Sequence, residues 1–263
     1  MDFICDTMTN CRLRCQAPWV CDVRYGAGVL VDIHMGRKCV TAFILLIVAG
    51  ALLVGLLWAE HVGGYSHILL FKAPLSCLFV LTALLQSHPV ARYYRLVLAG
   101  LVLGLVGDVC LALPGDTAFR AGLAAFLAGH VLYVLAMASL TRRTDWVHAI
   151  NLVILAVSGY VFWWLLPHLG QNLVPVALYI VVISVMVSGA CAVFRNPDTR
   201  RAAGWVILLG ATFFYLSDIF VARDRFISDE FLNRLVGLPL YYCGQFLLAF
   251  SVGLVRQGPN RSS

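Results

Sequence analysis

Charge is scarce in this chain. Only 12% of its 263 residues are Asp, Glu, Lys or Arg, about half the roughly 25% usual for soluble domains. Apolar residues make up 61%. So little charge cannot cover the surface of a water-soluble domain, which nearly excludes a soluble enzyme, a disordered protein and a nucleic-acid binder. Several chemical signatures are missing as well. There is no GxSxG elbow, no HExxH pair and no P-loop. The nine cysteines contain no CxxC, so neither a zinc site nor a disulfide framework is read from them. No metal and no cofactor is expected.

Long apolar runs are abundant, and they do not alternate as barrel strands would. From Cys39 onward eight runs each approach the ~20 residues needed to cross about 30 Å of hydrocarbon. They cover 39–58, 66–86, 94–113, 118–140, 146–166, 173–194, 203–222 and 235–255. In lipid, a continuous apolar run satisfies its backbone only as a helix. The fold class is therefore all-α, an integral membrane bundle of eight transmembrane helices. Residues 1–38 are polar and irregular and lack the basic-then-apolar order of a signal peptide. Met35, followed by Gly36-Arg37-Lys38 and an apolar run, reads as a natural start. The residues before it are then a poorly ordered extension or a misassigned start, and 256–263 form a short tail.

Fourteen of the 19 basic residues fall on one side of the alternating loops, in the N-terminal segment, around Arg92, Arg142 and Arg200, and in the tail. The other side holds Arg120, Arg223, Arg225 and Arg234, the last three diluted by Asp224, Asp229 and Glu230. The positive-inside rule puts both termini in the cytoplasm. Arginine outnumbers lysine 17 to 2, a bias typical of a GC-rich bacterial genome and hence of a plasma (inner) membrane. An internal echo is also visible. GLVGDVCLA (Gly104–Ala112) and FFYLSDIFVA (Phe213–Ala222) each precede a helix carrying Gly plus a polar residue, Gly129-His130 and Gly244-Gln245. Four helices separate the copies, so two parallel four-helix halves are expected. Gly100, Gly104, Gly122 and Gly129 read as close-packing positions.

Three formally charged residues lie within the runs: Lys72, Asp108 and Asp218. Each costs at least ~2.5–3.5 kcal/mol at membrane depth, so they must pair, face water or be neutralised. At ~1.5 Å per residue they fall in one layer about 6–9 Å below the same interface. Tyr241, Tyr242 and Gln245 reach a similar depth, while His130 and Tyr133 lie nearer mid-membrane. The bland alternative is that the aspartates only glue helices, and that His130 only packs. Interhelical hydrogen bonds in membranes average under about 1 kcal/mol, however, and Ser or Asn would supply them without a charge. Two carboxylates in one apolar layer cannot both ionise freely. One then holds a proton while the other, near Lys72, stays charged, which is the equipment for acid-catalysed cleavage through an oxocarbenium-like state.

At these residues the chain resembles the lysoplasmalogenase-like YhhN family. The similarity rests on Lys72-Ala73-Pro74, on GLVGDVCLALPGDTAFRAGLAAFLAGHVLY (Gly104–Tyr133), on LGATFFYLSDIFVARDRF (Leu209–Phe226) and on LPLYYCGQFLLA (Leu238–Ala249). It covers about residues 40–255. The resemblance implies a membrane hydrolase of the lysoplasmalogen vinyl ether bond, releasing a fatty aldehyde and a glycerophospho-alcohol. It implies Asp108 and Asp218 as the catalytic pair. Lys72, His130, Tyr133, Tyr241, Tyr242 and Gln245 are expected to bind the lysophospholipid drawn from the bilayer. The rival from another class is a proton-coupled carrier using the same carboxylates. Whether the chain is a monomer or a homodimer is left open. A hydrolase of this kind requires Lys72, Asp108 and Asp218 to converge on one cavity.

Overall fold

A computed structural model describes residues 12–17, 20–25, 28–30 and 33–256. Expectations for the remaining residues, which include much of the N-terminal extension and nearly all of the tail, lie outside the described residues. The chain divides into two compact units. The first, Met1–Gly50, contains strands β1 (Arg12–Ala17), β2 (Val20–Tyr25) and β3 (Gly28–Leu30), paired antiparallel in that order, and the beginning of α1 (Ile33–Val62). The second, Ala51–Ser263, carries the rest of α1, then α2 (Tyr65–Leu85), α3 (Ala91–Leu111), α4 (Asp116–Ala138), α5 (Ile150–Leu165), α6 (Leu173–Arg195), α7 (Arg201–Phe226) and α8 (Phe231–Leu254).

Among the described residues eight helical spans are long and apolar enough to cross a membrane, α5 being extended to His168 by a 3-10 turn, and outside the short N-terminal sheet the fold is an all-α membrane bundle. α8 is the most enclosed of them, while α5 turns Leu152, Leu155, Tyr160 and Trp163 outward. An outward apolar face is what a helix bathed in acyl chains presents.

Five helix ends lie four or more residues from the sequence-based boundaries. α1 begins at Ile33 and runs on to Val62, α5 begins at Ile150, α7 runs on to Phe226, and α8 begins at Phe231. Glu60, Arg223, Asp224, Arg225 and Arg234, read as loop charges or passed over, are therefore helical. They are accommodated by pairing. Arg234 meets Glu60, Asp224 and Asp229 at 3.3, 3.2 and 2.6 Å. Arg225 meets Asp116 at 2.6 Å and lies over the Phe119 ring. Between α7 and α8, the Ser228 hydroxyl and then Arg223 hold the Glu230 carboxyl below the usual carboxylate range.

The most extensive helix contacts are α7 on α8 and α3 on α4. Both crossings are built on glycine. A Cβ on Gly129 would stand 3.2 Å from the Gly100 carbonyl, and one on Gly244 would stand 3.0 Å from the Gly210 carbonyl. Without hydrophobic drive between helices in lipid, such close backbone approach is a main source of association. Gly100 precedes Asp108 by eight residues and Gly210 precedes Asp218 by eight, so the two crossings set the two aspartates in matching places. Gly244→Ala is expected to cost about 1–3 kcal/mol, because the obstructing atoms are backbone. Gly159→Ala, with nothing within 4 Å, should be neutral or stabilise by up to ~1 kcal/mol. Thermal unfolding in detergent compares the two.

α2 and α8 carry internal prolines, Pro74 and Pro239. Each removes a backbone donor and disturbs the helix beside residues that reach the centre of the bundle: Lys72 and Ser76 in α2, Tyr241 and Tyr242 in α8.

Candidate active site

One cavity of about 440 Å³ opens among the helices of the second unit. Lys72 (α2), Asp108 (α3), Asp218 (α7) and Tyr241 (α8) all line it. The convergence required of the three charged residues is thus met, although 146 positions separate Lys72 from Asp218. Glu60, Asp224, Arg225 and Arg234 contribute a charged portion of the lining, and Val161, Leu165, Val176, Ile180 and Ile183 an apolar portion.

Asp108 is 2% exposed and is the end point of a directed hydrogen-bond chain. The Tyr133 hydroxyl donates to Gln245 Oε1 at 2.8 Å, and Gln245 Nε2 donates to the Tyr241 hydroxyl at 3.1 Å. Tyr241 in turn donates to Asp108 Oδ2 at 2.7 Å. Ser76 donates to the same oxygen at 2.5 Å, which leaves Tyr242, at 3.3 Å, to donate to Ser76. Lys72 Nζ lies 3.8 Å from Asp108 Oδ1. Every donor points toward this carboxyl, and a cation faces it. That is the environment of an ionised acceptor.

Asp218 is surrounded differently. Its side chain is 18% exposed, and the Tyr179 hydroxyl donates to Oδ2 at 2.9 Å. Among the described residues no lysine or arginine stands within ion-pair distance, and the basic group nearest to it is the ring of His130, whose Nε2 is 3.9 Å from the same oxygen. His130 Nδ1 lies 2.7 Å from the Phe126 carbonyl. A carbonyl can only accept, so Nδ1 carries the proton. Nε2 is buried and has no hydrogen-bond partner among the described residues.

The sequence-based residues therefore separate into two groups. Lys72, Asp108, Asp218 and Tyr241 line the cavity, while His130, Tyr133, Tyr242 and Gln245 do not and stand behind the aspartates. The support is exchanged between the echoing segments: α8 supplies Tyr241 to Asp108, and α4 supplies His130 to Asp218. Ser76 and Tyr179 were missed. Ser76 sits one turn after Lys72, so the i, i+4 relation could have found it. Tyr179 carried no signal, since a lone tyrosine in an apolar helix is unremarkable. Tyr215, also in the lining, leans on Ser158 at 2.8 Å, itself 2.7 Å from Ser184.

A profile of the YhhN family matches residues 66–252. The chain belongs to the YhhN family. It is 34% identical over 185 residues to human lysoplasmalogenase TMEM86B, covering 69% of this chain and 75% of that one. It is 31% identical over 191 residues to human lysoplasmalogenase TMEM86A, covering 68% and 74%. It is also 33% identical over 179 residues to a Mycobacterium tuberculosis lysoplasmalogenase, covering 65% of this chain. The match spans 64% of that mycobacterial relative's length. No solved structure matches at a significant level. The YhhN match contains Lys72 and both aspartates, together with every partner of theirs named above.

Proposed function

We propose that this YhhN protein is a membrane-embedded hydrolase of lysoplasmalogen, cleaving the vinyl ether bond by acid–base catalysis with Asp218 and Asp108. Two carboxyls on one cavity, Asp108 buried and Asp218 part-buried, in opposite electrostatic surroundings, carry this reading. The names of the human and mycobacterial relatives support the substrate class.

The chemistry follows from the vinyl ether. Its β-carbon is the basic site, and protonation there places positive charge on the adjoining carbon and ether oxygen. Asp218, the more open carboxyl and the one without a cation, gives that proton. Asp108, held ionised by Lys72, Ser76 and Tyr241, stabilises the cation. It then takes a proton from the water whose oxygen bonds to the cationic carbon. The resulting hemiacetal gives its hydroxyl proton to the Asp218 carboxylate as the C–O bond breaks. The leaving glycerol oxygen takes the proton held by Asp108. Both carboxyls are restored, and one water has been consumed.

In this scheme the tail lies along Val161, Leu165 and Ile180, and the phospho-alcohol headgroup lies toward Arg225 and Arg234. The distribution of basic residues supports both termini in the cytoplasm, and the excess of arginine over lysine supports a bacterial plasma membrane. Purified protein incubated with vinyl ether, alkyl ether and ester lysolipids, followed by mass spectrometry, tests the proposal. Aldehyde from the vinyl ether alone is expected. No aldehyde, combined with proton-coupled uptake into liposomes, would overturn it in favour of a carrier.

A further inference from the structure

We infer that His130 is a positioning residue that shares the proton of Asp218, so that the imidazole and the carboxyl together hold one proton in the resting protein. The inference rests on the hydrolase reading for its kinetic consequence, but its geometry stands apart from it.

His130 is 1% exposed, and its ring is fixed on several sides. Nδ1 donates to the Phe126 carbonyl, and Phe214 and Tyr179 stand edge-on at 4.5 and 5.1 Å. That tautomer aims the bare Nε2 lone pair at Asp218 Oδ2, 3.9 Å away. A buried polar atom without a partner is costly, because it has lost its hydrogen bonds to water and gained none in return. Here the cost is relieved by a small approach of the two side chains, once a proton lies between them. The groups facing the pair are few among the described residues. Tyr133 lies on α4 itself, Tyr179 on α6 donates to Oδ2, and Phe214 on α7 is apolar. Lys72 and Asp108, which also line the cavity, are matched to each other.

Two arrangements of one proton are available to the pair. With the proton on the Asp218 carboxyl, Nε2 is the acceptor beside it and the acid is the group that lines the cavity. With the proton on Nε2, an imidazolium faces a carboxylate. A proton with two such positions is lost less readily than one held by the carboxyl alone, and the titration belongs to the pair. His130 itself is outside the cavity lining, so it acts through Asp218 and does not touch the substrate.

Two variants test this: His130→Phe, which keeps the volume, and His130→Gln, which keeps hydrogen bonding but cannot take a proton. In both, the alkaline limb of kcat/KM, which reports the free enzyme, should move to lower pH. A tenfold loss of proton affinity corresponds to about one pH unit. Tyr179→Phe removes a donor that favours the Asp218 carboxylate, and should move the same limb to higher pH. An altered rate with unshifted limbs in both His130 variants would overturn the inference and leave a packing role. The infrared band of the protonated Asp218 carboxyl, identified by its loss in Asp218→Asn, gives a readout that needs no turnover. If wild-type protein released no aldehyde, the hydrolase reading would fail, and that band would still decide the inference. Persistence to the same pH in His130→Gln as in wild type would end it.

Discussion

Asp218→Asn should lower kcat for aldehyde release by about 10²–10⁴-fold, the usual contribution of a positioned general acid. The amide is nearly isosteric, and its oxygen can still accept the Tyr179 hydroxyl that now lies at 2.9 Å. Folding is therefore expected to be kept and KM little altered, because the loss falls on proton transfer to carbon. Asp108→Asn should cause a loss of similar size for a different reason. Ser76 and Tyr241 retain an acceptor, but the negative charge that steadies the oxocarbenium ion is gone. Measured side by side by aldehyde trapping, the two variants test the shared cavity as a reaction site. Retention of most of the wild-type rate in both would refute the assignment.

The largest expected effect on stability comes from Lys72→Met. Lys72 and Asp108 are 9% and 2% exposed in their side chains, so the ammonium is the main compensation for a buried negative charge. Removing one partner of such a pair typically costs about 3–5 kcal/mol, because the other is left unpaired. Replacing both is far milder, since a neutral side chain needs no counter-charge. Lys72→Met combined with Asp108→Asn should thus recover most of the thermal stability lost by Lys72→Met alone, while remaining inactive. The double-mutant cycle isolates the coupling between the two residues. If the single and double variants unfold at the same temperature, Lys72 does not compensate the carboxylate.

These expectations concern residues that stood out in the sequence for one reason: each is a charge inside an apolar run. The cost of placing a charge in lipid is large and depends on the residue alone, so Lys72, Asp108 and Asp218 are visible without any knowledge of packing. The support around them was less visible. Tyr133, Tyr242, Gln245 and His130 were read as substrate contacts because depth along a helix is legible and rotation toward a particular neighbour is not. None of the four lines the cavity: His130 stands beside Asp218, while Tyr242 reaches Asp108 only through Ser76, and Tyr133 and Gln245 only through Tyr241. Tyr179 lay among ordinary membrane residues with nothing to mark it, and Ser76 was marked only by its place one turn after Lys72. The helical ends carrying Glu60, Asp224 and Arg234 were cut short for a related reason. Charge ends a membrane helix unless a partner from another helix satisfies it, and those partners are remote in the chain.

The eight spans and the presence of acid and cation at one depth were determined by the sequence itself. Hydrocarbon thickness and backbone hydrogen bonding act on each segment separately, so local composition suffices. Which carboxyl meets the lysine and which meets the histidine was decided only by tertiary structure. That choice depends on how the two glycine-packed pairs, α3 with α4 and α7 with α8, meet each other, so that Tyr241 of α8 reaches Asp108 and His130 of α4 comes beside Asp218. The protonation expected of each acid follows from the neighbours this packing delivers. No property of an isolated segment distinguishes the two aspartates.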